Sequence, residues 1–200
     1  MQVGVLDYGA GNIFSIVSGL RRAEIDTEVV IEPKCLSSID AVVVPGVGNF
    51  SQAADSLEVF REKLIEISRE GRFILGICLG MQIMLDESEE GNGRGLGLLE
   101  GRVVRLPATV KVPHMGWNSI EVKRPSQLFE GLPESPYFYF VHSFYSRLKE
   151  VTNVIATTTY GTEFAVGVSK GSVLGLQFHP EKSGEHGALI LRNFKEMISR

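Results

Sequence analysis

The chain has 200 residues, 44% of them hydrophobic and 22% charged, and a net charge of −4. That length supports one sizeable core and is short for two domains, and the composition is that of an ordinary globular protein. The acidic balance, with no basic run, excludes electrostatic docking to nucleic acid, and the 2 cysteines, in no Cys/His metal spacing, exclude a disulfide scaffold and a structural zinc site.

The opening Met1–Asp7 lacks a basic segment followed by a long apolar one, so no signal peptide is expected. No apolar run reaches the ~20 residues of a membrane span. The expected compartment is a reducing cytoplasm, where Cys78 stays a free thiol. No metal or other cofactor is expected.

Val3–Leu6 predicts a first strand, apolar throughout and so buried on both faces. The turn Asp7-Tyr8-Gly9-Ala10-Gly11-Asn12 leads into a helix marked by Ile13, Val17 and Leu20, closing near Arg21-Arg22. The turn resembles the dinucleotide fingerprint Gly-x-Gly-x-x-Gly, but Phe14 stands where close packing needs glycine or alanine. Thr27–Ile31 and Ala41–Val44 predict two further strands, the second running straight into Pro45-Gly46-Val47-Gly48-Asn49. Leu57, Phe60, Leu64 and Ile67 mark a helix with a charged outer face.

Phe73–Ile77 predicts a fourth strand, which meets Gly76-Ile77-Cys78-Leu79-Gly80 and then an amphipathic run through Leu85. This is the design of a nucleophile elbow, a tight turn that lifts one reactive atom above the sheet edge. A thiol there faces a helix N-terminus, which favours thiolate. The same residues also fit a small cysteine buried in a tightly packed turn.

The order strand-helix-strand-strand-helix-strand-helix, with buried strands, predicts an α/β architecture on a mostly parallel sheet. Ligands of such sheets bind beyond the carboxyl ends of the strands. The turns at 9–12, 45–49 and Cys78 share that edge.

Asp86–Glu90 followed by Gly91-Asn92-Gly93-Arg94-Gly95 reads as a mobile, solvated connection. From Gly101 onward short strands are predicted at Val103–Leu106, Ser119–Val122, Tyr137–Val141, Val154–Thr158, Phe164–Val168 and Val173–Phe178, as antiparallel additions to the main sheet. Glu185–Arg200 predicts a closing helix. No repeat or linker divides the chain, and one domain over 1–200 is expected.

His179-Pro180-Glu181 ends the last predicted strand. Pro180 keeps His179 extended, so His179 and Glu181 point to one side, where a carboxylate can fix the imidazole tautomer. Cys78, His179 and Glu181 therefore compose a candidate triad. For acyl chemistry the N–H of Leu79 is one candidate oxyanion donor. Gly46-Val47-Gly48 can turn another backbone N–H toward the same point, and this glycine pair permits a peptide flip.

Pro45-Gly46-Val47-Gly48, Gly76-Ile77-Cys78-Leu79-Gly80-Met81-Gln82 and Phe178-His179-Pro180-Glu181-Lys182 together resemble the class I, triad-type glutamine amidotransferases. The resemblance covers nearly the whole chain. It implies a flavodoxin-like open sheet with helices on both faces, and a Cys78 thioester formed from the glutamine side-chain amide. It further implies Gly46, Val47, Gly48, Leu79, Gln82, Ser143 and Phe144 as oxyanion and substrate-binding residues.

His114-Met115-Gly116-Trp117-Asn118, Asp7–Asn12 and Tyr139-Phe140-Val141-His142-Ser143 narrow the resemblance to the glutaminase subunits of imidazole glycerol phosphate synthases. That family implies a heterodimer with a separate (β/α)₈-barrel cyclase, which receives the ammonia in histidine biosynthesis. Asn12, Met115, Trp117, Tyr139 and Lys182 would then lie at or near the partner face. Read from the residues alone, Met115 and Trp117 fit a core as well as a face, and His114 and His142 fit structural roles. An amidotransferase serving another synthase, a Cys-dependent peptidase or esterase on a related fold, and a subunit with a vestigial triad remain open at this point.

Overall fold

In the computed structural model, which describes residues 1–199, the first half runs β1 (Gln2–Leu6), α1 (Ile13–Arg22), β2 (Asp26–Val30), β3 (Ala41–Val44), α2 (Phe50–Leu57), α3 (Arg61–Arg69), β4 (Phe73–Ile77) and α4 (Leu79–Gln82). The second half is mainly strand: β5 (Glu87–Ser88), β6 (Gly101–Arg105), β7 (His114–Ser119), β8 (Glu121–Val122), β9 (Tyr137–His142), β10 (Phe144–Leu148), β11 (Val154–Thr159), β12 (Glu163–Lys170) and β13 (Val173–Leu176). Helix α5 (Gly184–Ile198) follows; the predicted end of this helix, Arg200, lies outside the described residues.

Five strands, β2-β1-β3-β4-β13, form the parallel part of an 11-stranded sheet. Antiparallel β12, β10 and β6 extend it, β5 pairs parallel to β6, and β11 and β8 lie along the other edge of β12. The parallel strands read as apolar runs because both faces are covered. On one face Val3, Val5, Val43 and Leu75 pack with Ile16 and Leu20 of α1 and Ile190 and Phe194 of α5. On the other, Leu6, Val42, Val44 and Ile74 pack with Leu57, Phe60, Leu64 and Ile67. This is the α/β architecture that the strand pattern predicts. Among the described residues no helix is long and apolar enough to cross a membrane.

Several predicted elements differ. Val173–Phe178, expected as an antiparallel addition, ends at Leu176 as β13 and runs parallel to β4 in the interior of the sheet. The helix through Leu57–Ile67 is two helices, α2 and α3, joined by a 3₁₀ turn at Glu58–Phe60, although all four marker residues are buried as expected. Ser119–Val122 is broken at Ile120, which is buried between the end of β7 and the start of β8. Strand β9 leaves the main sheet and pairs with β7 in a separate antiparallel ribbon, Trp117 opposite Tyr139 and His114 opposite His142.

Candidate active site

Strand β13 pairs with β4 in the register Leu176 to Ile77, so the next residues of both strands emerge side by side. Cys78 N–H donates to Leu176 O at 2.7 Å, and the chain then turns through Cys78 at φ 57° and ψ −110°. A positive φ at a non-glycine residue is strain held by its surroundings, of order 1–3 kcal/mol. Here the surroundings are tight: a Cβ on Gly80 would lie 1.8 Å from Val44 O, and one on Gly76 would lie 2.6 Å from Gly80 O. The predicted helix after the elbow is only one turn, α4. The carbonyls of Ile83, Met84 and Leu85 accept from Leu96, Leu99 and Gly97 instead of from a next turn, so a long helix dipole does not act on the sulfur.

His179 is fixed at the end of β13 by its N–H, which donates to Tyr139 O at 3.0 Å, and its ring is buried. Its Nδ1 lies 2.9 Å from Glu181 Oε1, with the two side chains only 4% and 2% exposed. The other ring nitrogen, Nε2, is buried with no hydrogen-bond partner among the described residues. Burial alone depresses the His179 pKa, but Cys78 and Glu181 outweigh it and hold the ring up at about 9. Glu181 is positioned from behind by α1: Gly19 leaves no room for a Cβ, which would sit 2.8 Å from Glu181 Cβ, and Arg22 Nη2 donates to Glu181 O at 3.2 Å.

A cavity of about 320 Å³ opens beside the sulfur, lined by Val47, Gly48, Cys78, Leu79, Gln82, Ser143 and Phe144. Gly46 lies behind this wall, buried, with its carbonyl accepting from Leu79 N–H at 3.4 Å. The candidate donor Leu79 N–H is thus engaged by the very loop expected to supply the second donor. Gln82 Nε2 donates to Phe144 O at 2.8 Å and to Gln177 Oε1 at 2.9 Å, committing both its protons.

Glu90, Pro113, Val141 and His142 complete the lining, and the sequence reading assigned none of them to it. Segment 86–95 is therefore more than a mobile connection. Glu90 Oε2 accepts from Phe50 N–H at 2.7 Å at the start of α2, Gly93 N–H donates to Ser51 Oγ, and Arg61 holds the carbonyls of Arg94 and Gly95. His142 and His114 are buried, with His142 Nδ1 donating to Phe144 O and His114 Nδ1 donating to His142 Nε2 at 3.0 Å. Burial, aided by the His114 and His179 charges, holds His142 down at about 3, so it is neutral.

The five residues expected at a partner face divide by exposure. Met115 and Trp117 are 64% and 56% exposed, so neither is core. Alternation along the ribbon puts Met115, Trp117, Tyr137, Tyr139 and Val141 on one side, Trp117 edge-on to Tyr139, and His114, Phe138, Phe140 and His142 on the other. Asn12 caps α1, its Oδ1 accepting from Ser15 N–H, and Lys182 is exposed one residue after Glu181.

Such a site can perform nucleophilic acyl transfer from a thiol. The family model for class-I glutamine amidotransferase matches residues 4–197, and the chain belongs to that family. A solved glutamine amidotransferase, 26% identical, superposes with a TM-score of 0.77 over 99% of both chains. Within the family the chain is similar to the imidazole glycerol phosphate synthase subunit HisH of Methanothermobacter thermautotrophicus, 47% identical over 98% of this chain and 99% of that protein. The same subunit of Moorella thermoacetica is 44% identical over 98% of this chain and 95% of its own length.

Proposed function

We propose that the chain is the glutaminase subunit of an imidazole glycerol phosphate synthase and that it hydrolyses glutamine to glutamate and ammonia at Cys78. The observation that carries this reading is a cysteine at a strained elbow beside a buried His179–Glu181 pair, opening on a cavity of about 320 Å³.

Cys78 Sγ attacks the carboxamide carbon, and imidazolium His179 protonates the departing ammonia. The γ-glutamyl thioester is then hydrolysed by water that His179 deprotonates, which returns the thiolate. Glu181 keeps the Nδ1 proton in place and stabilises the charged ring. Gln82, its nitrogen already committed, offers Oε1 to the substrate, and Ser143 and Phe144 line the side-chain slot. For the oxyanion, the Gly46–Val47 peptide turns over, withdrawing the Gly46 carbonyl from Leu79 N–H and adding Val47 N–H to it.

The ammonia passes to a separate (β/α)₈-barrel cyclase in histidine biosynthesis. The exposed ribbon face supports docking there, since its last member, Val141, lines the Cys78 cavity. The catalytic unit is a single domain over 1–200, working in the reducing cytoplasm. The test is ammonia release from glutamine by the chain with its cyclase, together with labelling of Cys78 by diazo-oxo-norleucine. Both should vanish in Cys78→Ala. Hydrolysis of p-nitrophenyl esters without labelling would point to the peptidase or esterase class and overturn the reading.

A further inference from the structure

Gln177 follows β13 directly, between the strand and His179, and its side chain has no solvent exposure. A primary amide in such a place costs stability unless it is fully hydrogen-bonded, and a leucine would fill the space without that cost. Its Nε2 lies 3.7 Å from Cys78 Sγ, within hydrogen-bonding reach of sulfur, and its Oε1 accepts from Gln82 Nε2 at 2.9 Å.

The direction of these bonds follows from chemistry rather than from the assignment of amide atoms. Phe144 O is a carbonyl and can only accept, so the Gln82 atom 2.8 Å from it must be the nitrogen. Gln82 thereby presents a second N–H to Gln177, whose facing atom must be oxygen. The Gln177 atom left facing the sulfur is then the N–H donor. Phe144 O also accepts from His142 Nδ1 at 2.8 Å, which fixes the anchor of the chain at both lone pairs. On its other side the sulfur meets Val141 O at 3.8 Å, an acceptor that favours the protonated thiol. Sulfur thus stands between one group that prefers thiol and one that prefers thiolate.

We infer that Gln177 is a positioning residue of the glutaminase site, donating its Nε2 proton to Cys78 and favouring the thiolate, with Gln82 and Phe144 O fixing its orientation. The inference rests on Cys78 being the nucleophile proposed above. The titratable groups facing the sulfur or its cavity are Tyr8 from the β1 turn, Glu90 from segment 86–95, His142 from β9, and His179 with Glu181 behind it. The Gln177 amide is hydrogen-bonded to Gln82 and Cys78 and to none of these groups, so a change at Gln177 reads the amide itself.

The experiment titrates Cys78 in the full chain by its rate of iodoacetamide alkylation against pH, in a Cys35→Ser background so that one thiol reports. In Gln177→Leu the midpoint should rise by about one to two pH units, the scale of a hydrogen bond to a charged group. In the complex, kcat for glutamine should fall about tenfold or more, with little change in KM. Gln177→Glu, which swaps the donor for an acceptor, should raise the midpoint further, and Gln82→Met, which frees the amide to rotate, should raise it less. A Gln177→Leu chain that is folded, with an unmoved midpoint and unchanged kcat, overturns the inference. Should that variant fail to fold, unmoved midpoints in both other variants overturn it equally. Alkylation needs no glutamine, so a shifted midpoint in the variants beside an unsubstituted complex that releases no ammonia would refute the glutaminase reading and leave only the Gln177–Cys78 hydrogen bond standing.

Discussion

At neutral pH His179 carries its proton, since Cys78 and Glu181 hold its pKa at about 9, above the ordinary 6.5. A base whose pKa is raised on folding contributes stability that is complete below the unfolded value and is lost as pH rises through the folded one. Two outcomes follow for Glu181→Gln. The alkaline limb of kcat/KM, expected near pH 9 in the native enzyme, should move down by about one pH unit as the ring loses one of its anionic partners. The stability deficit in urea should be largest near pH 6 and shrink by pH 9.5, where the native ring is itself neutral. A deficit independent of pH would mean that Glu181 serves packing alone.

This pair was legible only in part: Pro180 does keep His179 extended, but Pro180–Lys182 form a 3₁₀ turn rather than the extended run expected, and it is from this turn that Glu181 reaches the ring. The burial of Gln177 and the cavity role of Glu90 were not legible. A glutamine beside a catalytic motif looks like any strand-end polar residue, and an acid-rich run before alternating glycines looks like solvated loop. What gives each its place is a contact far along the chain, with Gln82 for the first and with the Phe50 N–H for the second.

The elbow and its neighbouring loop work as a pair of elements. Gly80 exists for contact: its missing Cβ lets α4 pass over Val44 O, so Gly80→Ala should destabilise the chain by about 3 kcal/mol or more, as severe overpacking does. Urea denaturation measures this, and a loss below 1 kcal/mol, on the scale of an ordinary surface change, would contradict it. The loop 45–49 holds Gly46 O against Leu79 N–H, which leaves no room there for an oxyanion. The isolated chain should therefore release ammonia slowly and gain about 10²-fold or more when cyclase and its nucleotide ligand are added, the scale of one restored donor. Val47→Pro, which deletes the N–H that the turned-over peptide would supply, should remove most of that gain while leaving KM nearly unchanged. A fully active isolated chain would exclude this arrangement. The apolar strand and the glycines announced the elbow; the length of α4 was hidden, because residues 96–99 capture its outgoing carbonyls.

Across the whole molecule the β7–β9 ribbon joins the proposed partner face to His179. Tyr139 carries both ends of this link, its ring on the exposed side beside Trp117 and its carbonyl accepting from His179 N–H. Trp117→Ala should weaken association with the cyclase by about tenfold or more, as loss of an aromatic anchor does, while the thermal midpoint of the free chain stays put because the ring is 56% exposed. Calorimetric titration with the cyclase measures the first and thermal unfolding the second; unchanged affinity would move the docking face elsewhere. Strand β7 escaped the sequence reading because its inward residues are His114, Gly116 and Asn118, so hydropathy does not alternate in the expected sense. The same alternation, seen in place, decides that Met115 and Trp117 are surface.

The position of β13 has a further consequence. It is the last strand in the chain, yet it sits in the interior of the sheet between β4 and β12. A growing polypeptide that has emerged only as far as residue 172 carries the sulfur but neither the His179 imidazole nor the Glu181 carboxylate. Gln177, His179 and Glu181, the proposed partners of Cys78, all follow directly on this one late, central strand. Completion of the sheet and assembly of the proposed triad therefore depend on the same stretch of chain.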